Sequence, residues 1–174
     1  MAVAVSRWPP ATVVSLHQAL EELAALTEEV RRRDSNESDR EASWLARLLV
    51  VRSCGYLEQV ISDVGMSLIE ARSGGESKSF GLSWFPPKRN PSSEQIIQWV
   101  GRFQPDWASE LQELLEDNDE ELGRELSLLL DRRNRIAHGL NEGVTVRKAL
   151  DMRDVAVLLA DWFILRFNPA RTRA

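Results

Sequence analysis

An arginine and a histidine separated by four residues are the side chains in this sequence best suited to chemistry on a phosphate. They are Arg133 and His138, in the segment Arg-Asn-Arg-Ile-Ala-His. Arginine presents a planar fork of N–H donors that fits phosphate oxygens and the extra charge of a phosphorane transition state. Histidine exchanges a proton near neutral pH and serves as general acid or base. The pair suits RNA transesterification, in which the 2′-hydroxyl of the substrate is the nucleophile, and DNA lacks that group.

The spacing of the motif raises a question of geometry. Asn134 and His138 lie four residues apart on one face of a helix, which predicts that the Asn134 amide orients the imidazole. Arg133 and His138 lie five residues apart, about 140° around a regular helix. They therefore need the long reach of the arginine, or a second subunit, to converge on one phosphate.

The cations around the motif are candidates for RNA contacts, namely Arg132, Arg135, Arg147 and Lys148. Arg52 and Glu58 are weaker candidates for RNA contacts. They are polar residues of a mostly apolar helix, and they either line a cleft facing the motif or form an ion pair within the bundle. The simplest alternative for the motif itself is structural. In that interpretation the arginines are surface cations near a helix end and His138 only stabilises the helix terminus.

The charge distribution is uneven along the chain. The net charge is −5, which argues against a protein that coats nucleic acid by overall positive potential. Nine acidic residues face a single arginine between Asp106 and Glu125, whereas five basic residues face two acidic ones between Asp131 and Lys148. Contact with phosphate is therefore expected to be local, and the acidic run is either a solvated helix face or a surface that repels nucleic acid.

Apolar spacings of three, four and seven residues predict an all-α fold, an antiparallel helical bundle of four longer helices with short extra helices. Residues 1–174 are predicted to be one domain, with a core at about 12–167 and flexible ends at 1–10 and 168–174. The first predicted long helix runs from a Thr12 cap to about Arg33, and the second covers about 39–71 behind a capping box at Ser38 and Glu41. Two short helices follow, one from a Ser92 or Ser93 cap to about 103 and one at 105–116. The third long helix runs from an Asn118 cap toward His138 with Gly139 as its stop, and the last long helix covers about 151–167. Residues 73–93 are predicted to be a loop, in which Trp84 and Phe85 anchor the loop or stack on a base.

The motif, its place on the third long helix, and two other segments resemble a known family, the HEPN domain. The other segments are Leu48-Leu-Val-Val-Arg-Ser-Cys-Gly-Tyr-Leu-Glu-Gln59 and the stretch from Pro91-Ser-Ser to Arg102-Phe-Gln-Pro-Asp-Trp107. Together with the motif they are similar to the HEPN branch named for its association with ribonuclease L-PSP. The resemblance covers residues 44–166 approximately.

The resemblance implies a metal-independent endoribonuclease, with Arg133 and His138 as catalytic residues, Asn134 as the orienting residue, and RNA as substrate. It also implies a homodimer with the two motifs across its interface, and a role as a toxin or anti-phage effector with an antitoxin or defence-system partner. Leu140 stands where related toxins carry the tyrosine that is modified by AMPylation, so that mode of control is not implied. The alternative is a non-catalytic HEPN module that binds RNA or nucleotides or acts as a scaffold.

Composition excludes several other classes. One cysteine and two histidines leave too few ligands for a zinc site, so we predict no metal and no cofactor. No apolar run approaches the roughly 18 residues of a membrane span, and the N-terminus lacks the layout of a signal peptide. We expect a cytoplasmic protein with no membrane contact.

Overall fold

The computed structural model describes residues 8–33, 35–83, 91–140 and 143–171. These residues form six α-helices, four of them long and two short, and they contain no strand. The helices are α1 Ala11–Arg31, α2 Asn36–Arg72, α3 Gly75–Ser83, α4 Ser93–Gly101, α5 Pro105–Ala137 and α6 Val146–Arg166. The all-α bundle predicted from the apolar spacing is therefore confirmed.

Helix α2 is the centre of the bundle. It packs along α1 and α6 and also contacts α5, while α4 packs on the first part of α5. Its inner face carries Leu49, Val50, Val60 and Val64, all fully buried. Burying one such aliphatic side chain contributes about 1.5–3 kcal/mol, so this face holds α2 in place and fixes the side chains beside it. One apolar core extends from Val13 to Phe167.

The start of α2 differs from the prediction because a nearer capping box takes over. The Ser35 hydroxyl accepts a hydrogen bond from the Ser38 backbone N–H, and the Ser38 hydroxyl accepts one from the Ser35 N–H. Ser38 therefore stands inside the helix as the third residue of the box rather than as the cap. The helix begins at Asn36, three residues before the predicted position.

Helix α5 is one helix where the sequence predicted two. It runs through the expected Asn118 cap without a break. A Cβ placed on Gly123 would lie 2.8 Å from the Leu115 carbonyl oxygen. In a straight helix residues eight apart are separated by about 12 Å along the axis, so the chain must bend between these two positions. A glycine is needed at Gly123 because any side chain would meet that carbonyl group.

The remaining boundaries shift by local capping. The predicted loop at 73–93 contains α3, and Trp84 and Phe85 lie outside the described residues. The Ser92 cap of α4 is confirmed, with Gln95 completing the box. Helix α6 begins at Val146 instead of Asp151, because the Thr145 hydroxyl accepts from the Lys148 backbone N–H.

The N-terminal end of the described chain is attached to the bundle. Trp8 precedes the predicted core, yet its Nε1 donates to the Ile164 carbonyl at 2.9 Å and its ring packs against the apolar core. Helix α1 follows from Ala11 without a side-chain cap, and the Thr12 hydroxyl donates to Asp63 on α2 instead of capping the helix. None of the described helices is both long and apolar enough to cross a bilayer.

Candidate functional site

The Arg-Asn-Arg-Ile-Ala-His motif closes α5 and forms its C-terminal cap. His138 is the C-cap residue, and Gly139 follows at a φ of 75°, a conformation that favours glycine. The Gly139 N–H donates to the Ile136 carbonyl and the Leu140 N–H donates to the Arg135 carbonyl, both at 3.0 Å. This pair of bonds is the Schellman motif, so the predicted stop at Gly139 is confirmed. It leaves the His138 side chain exposed at the tip of the helix.

Arg133 is held by two contacts, one to α2 and one to the next residue of α5. Its Nη2 lies 3.6 Å from Oε1 of Glu58, and its Nη1 donates to Oδ1 of Asn134 at 3.0 Å. The Arg133 side chain is 18% exposed and that of Glu58 is 23% exposed, so the pair is partly screened by the protein. Of the two interpretations left open for Glu58, the structure shows an ion pair, with Arg133 of the motif as its partner.

Asn134 has a different partner from the one that its spacing predicts. Its side-chain oxygen is occupied by the Arg133 guanidinium, and in the described chain no hydrogen bond joins Asn134 to the His138 imidazole. Only the backbones of the two residues are linked, because the His138 N–H donates to the Asn134 carbonyl at 3.0 Å. Asn134 therefore positions the arginine of the motif and not its histidine.

The buried thiol beside this ion pair is chemically inert. Cys54 Sγ lies 3.7 Å from Oε1 of Glu58. Burial, together with the negative charge of Glu58, raises the pKa of Cys54 to about 12, and Arg133 opposes the shift. The thiolate form is therefore absent at neutral pH, and Cys54 is not a nucleophile.

Arg133 also forms one wall of an open cleft, which we call the motif cleft. It has a volume of about 310 Å³ and is lined by Leu16, Leu20, Val51, Arg52, Gly55, Tyr56, Gln59 and Arg133. Two arginines thus share a space whose other walls are mostly apolar. The pKa of Tyr56 is raised to about 12 by burial and by the negative charges of Asp161 and Glu21, so its phenol stays neutral.

Of the residues that line the motif cleft, only Arg52 and Arg133 were predicted from the sequence as site residues, and Gly55 and Gln59 beside them were missed. Arg52, Gly55 and Gln59 are spaced three and four residues apart, which places them on one exposed face of α2. That spacing was visible in the sequence. A Cβ on Gly55 would meet no atom within 4 Å, so the missing side chain leaves the floor of the cleft open.

A second, smaller cleft lies on the other side of the motif. It has a volume of about 210 Å³, and its walls include Asn134, Cys54, Ser92 and Ser127. His138 lines neither this cleft nor the motif cleft. The structure therefore brings Arg133, Asn134, Glu58 and Arg52 together, and it places His138 about one helical turn beyond them.

The four cations predicted to bind RNA have different surroundings. Arg135 is half-exposed, with Nη1 3.9 Å from Oδ2 of Asp131, and Arg132 is half-buried; both make further polar or charged interactions. Arg147 is 89% exposed and lies 3.5 Å from Asp151. Lys148 is the most strongly engaged, because its Nζ lies 2.7 Å and 2.8 Å from the two carboxylate oxygens of Glu125.

Among the described residues, no three histidine, cysteine or carboxylate side chains lie close enough together to hold a metal ion. The groups that face the motif cleft are two guanidinium groups, an amide and a neutral phenol. Such a set suits an anion.

An all-α bundle whose third long helix ends in an arginine and a histidine with four residues between them defines a HEPN-type protein. Residues 15–164 match the model of the RiboL-PSP-HEPN family, and the chain belongs to that family. Searches of curated proteins and of solved structures give no significant match to this chain. Membership of the family points to a ribonuclease or nucleotide-related function.

Proposed function

We propose that this protein is a metal-independent endoribonuclease that uses Arg133 and His138 to cleave RNA through its own 2′-hydroxyl. The observation that carries the proposal is the fixing of Arg133 by Glu58 and Asn134 at the edge of a cleft that also contains Arg52. A guanidinium held by a carboxylate on one side keeps its remaining N–H donors oriented toward the cleft, where a phosphate can accept them.

The proposed reaction breaks one bond and forms another. The 2′-oxygen attacks the adjacent phosphorus, the phosphorus–O5′ bond breaks, and the products are a 2′,3′-cyclic phosphate and a 5′-hydroxyl. His138 carries the proton, either taking it from the 2′-hydroxyl or giving it to the departing 5′-oxygen. Arg133 stabilises the phosphorane charge between these steps. The exposed position of His138 leaves its imidazole accessible to such a substrate.

A second copy of the chain would bring an arginine and a histidine to the same phosphate. Helix α2 carries an exposed apolar stripe that leads toward the motif cleft, with Trp44 67% exposed and Leu48 47% exposed. Because these residues are spaced four apart and are followed by Arg52 and Gly55, the stripe and the cleft share one face of α2. We propose that this face is the homodimer interface. Leu159 and Phe163 of α6 are buried in the core of the chain itself, so they are not available to such an interface.

The biological setting that we propose is a toxin or anti-phage effector, with an antitoxin or defence-system protein as partner. The support for it is the resemblance of the motif region to HEPN effectors. The alternative is a non-catalytic RNA- or nucleotide-binding or scaffold subunit, which is favoured by the position of His138 outside both clefts.

The experiment that separates the two functions is cleavage of total RNA by the purified protein in EDTA, with the new ends sequenced. Cleavage that leaves cyclic phosphate ends, and that stops at a 2′-O-methyl substituted site, would support the nuclease. Binding of RNA without cleavage would support the non-catalytic binding module instead. The matched control for substitutions of Arg133 is Arg72→Ala. Arg72 is an exposed arginine on α2, about 21 Å along the helix from Glu58.

Whether each active site combines residues from two subunits is tested by mixing two inactive variants. If each site takes Arg133 from one subunit and His138 from the other, a mixture of Arg133→Ala and His138→Ala chains contains heterodimers with one complete site. Equal mixing with free exchange should then restore about a quarter of the wild-type activity. No restoration after verified subunit exchange would mean that each chain supplies both residues.

A further inference from the structure

A long groove separates α5 from α6 on the part of the molecule that the motif does not use. It consists of two adjoining clefts of about 610 Å³ and 470 Å³, which share Leu114 and Asp117 as lining residues. We call the two together the acidic groove. Neither cleft contains a residue of the motif.

One face of α6 forms a whole wall of the groove. The residues of that wall are spaced three or four apart, and they are Lys148, Asp151, Val155, Leu158, Trp162 and Arg166. From the first to the last, the wall extends for about 27 Å at the helical rise of 1.5 Å per residue, which is the length of a helix of five turns. Such a shape fits an elongated ligand better than a compact one.

The base of the groove is apolar and partly open to solvent. Leu114 and Leu122 of α5 face Val155, Leu158 and Trp162 of α6 across it. Leu158 is 47% exposed although it stands among other apolar side chains. A ligand that covers these residues removes their apolar surface from water, which favours binding.

The rim of the groove is strongly acidic. The carboxylates of the larger cleft are Glu110, Glu113, Glu116 and Asp117. Those of the smaller cleft are Asp117, Glu121, Glu125, Asp151 and Asp154.

Among the described residues, two cations line the groove, and each is held by one of its carboxylates. Arg166 lies 2.7 Å from Glu110, and Lys148 lies 2.7 Å from Glu125. The groove therefore keeps a net negative charge.

This combination of charge and shape selects the kind of ligand. RNA is repelled because its phosphates meet carboxylates, and a second copy of the chain meets the same charge on its own groove. A segment with an apolar stripe and flanking lysine or arginine residues satisfies both the base and the rim. We propose that the acidic groove binds a basic amphipathic α-helix of a partner protein, laid along α6 with its apolar stripe on Leu158 and Trp162. This inference is independent of the proposed nuclease reaction.

The proposal is tested with a labelled 18-residue peptide of leucine and lysine in a helical amphipathic pattern, by fluorescence anisotropy at low and moderate salt. The comparison is a scrambled peptide of the same composition, which keeps the charge and loses the stripe. We expect the patterned peptide to bind at least tenfold more tightly than the scrambled one. Equal binding of the two peptides would mean unspecific charge attraction and would overturn the proposal.

Two leucines of α6 provide a matched pair of variants. Leu158 and Leu165 are both 47% exposed, but only Leu158 lines the groove. Leu158→Ser should weaken binding of the patterned peptide about tenfold, while Leu165→Ser should leave it unchanged. Equal effects of the two substitutions would place the peptide elsewhere. Both side chains are half-exposed, so neither substitution opens a cavity in the core.

Charge reversal gives a second test that does not depend on the leucines. Glu113→Lys/Glu116→Lys reverses two exposed groove carboxylates, and Glu37→Lys/Glu41→Lys makes the same charge change on α2 outside the groove. The first pair should weaken peptide binding at least fivefold more than the second, and the difference should shrink as salt rises. Similar losses of peptide affinity in both double variants would mean that only the net charge of the protein matters, and would overturn the proposal.

Discussion

The long part of α5 as far as Glu125 and its C-terminal end present opposite charges to different neighbours. Before and just after the bend, its carboxylates line a groove against α6, where Glu110 and Glu125 hold Arg166 and Lys148. At its C-terminal end the relation reverses, because a carboxylate of α2, Glu58, holds an arginine of α5. One helix thus has an anion-rich region suited to a cationic partner and a cation-rich end suited to a phosphate. The difference shows that the net charge of −5 describes neither surface.

The largest effect is expected at the two catalytic positions. His138→Ala removes the proton carrier and Arg133→Ala removes the donor to the phosphorane, so each should reduce the rate of RNA cleavage about 10²-fold or more. Single-turnover cleavage of a labelled RNA in EDTA measures the loss. The double variant Arg133→Ala/Glu58→Gln avoids leaving the carboxylate without its cation and should be equally inactive. Full activity of the His138→Ala protein would contradict the proposed mechanism.

An intermediate effect is expected at Asn134. Since its amide holds Arg133 in place, Asn134→Ala should lower cleavage about tenfold, less than the loss of the arginine itself. Asn134→Ala combined with Arg133→Ala should lose no more than Arg133→Ala alone, because Asn134 acts through the arginine. A double-mutant cycle of cleavage rates checks this, and additive losses would assign Asn134 an independent role.

Two glycines, Gly55 on α2 and Gly139 just after α5, should respond in opposite ways to the same substitution. Gly55→Ala places a methyl group in open space on an exposed helix face and should stabilise the fold by about 1 kcal/mol. Gly139→Ala places alanine at a positive φ and should destabilise the fold by about 1 kcal/mol. Denaturant unfolding at equilibrium measures both changes.

The Gly55 substitution also tests the use of the motif cleft. Gly55→Leu narrows the cleft, so RNA binding should weaken even though the helix is not destabilised. Unchanged RNA affinity in this variant would show that the substrate does not enter the motif cleft.

The smallest effects are expected at the outer cations. Arg135→Ala should weaken RNA binding several-fold at low salt and reduce the slope of log affinity against log salt by about one unit. Lys148→Ala should change RNA binding less, because Glu125 already neutralises this lysine. Filter binding over a salt series compares the two variants. A larger effect of Lys148 would mean that RNA extends along α6 and would remove the contrast between the two parts of α5.

The local features of the fold could be predicted from the sequence because they depend on neighbours in the chain. Apolar spacing located the four long helices, the serine at Ser92 predicted a cap, and Gly139 predicted the end of α5. The capping box of Ser35 and Ser38 was missed because it overlaps the predicted box of Ser38 and Glu41 at the start of α2. Residue types alone do not show which of the two boxes is more stable. The bend in α5 was misread as a break because Asn118 resembles a cap.

The sequence by itself determined the helical bundle, the RiboL-PSP-HEPN resemblance and the placing of Arg133 and His138 at the end of a helix. Only the tertiary structure decided which partners the polar side chains choose. Asn134 turns to Arg133 and not to His138, Glu58 pairs with the motif, and Lys148 pairs with Glu125. Helical periodicity fixes which face of a helix a residue occupies, whereas an ion pair between helices depends on how those helices pack, and that packing is set by the buried side chains of the whole chain.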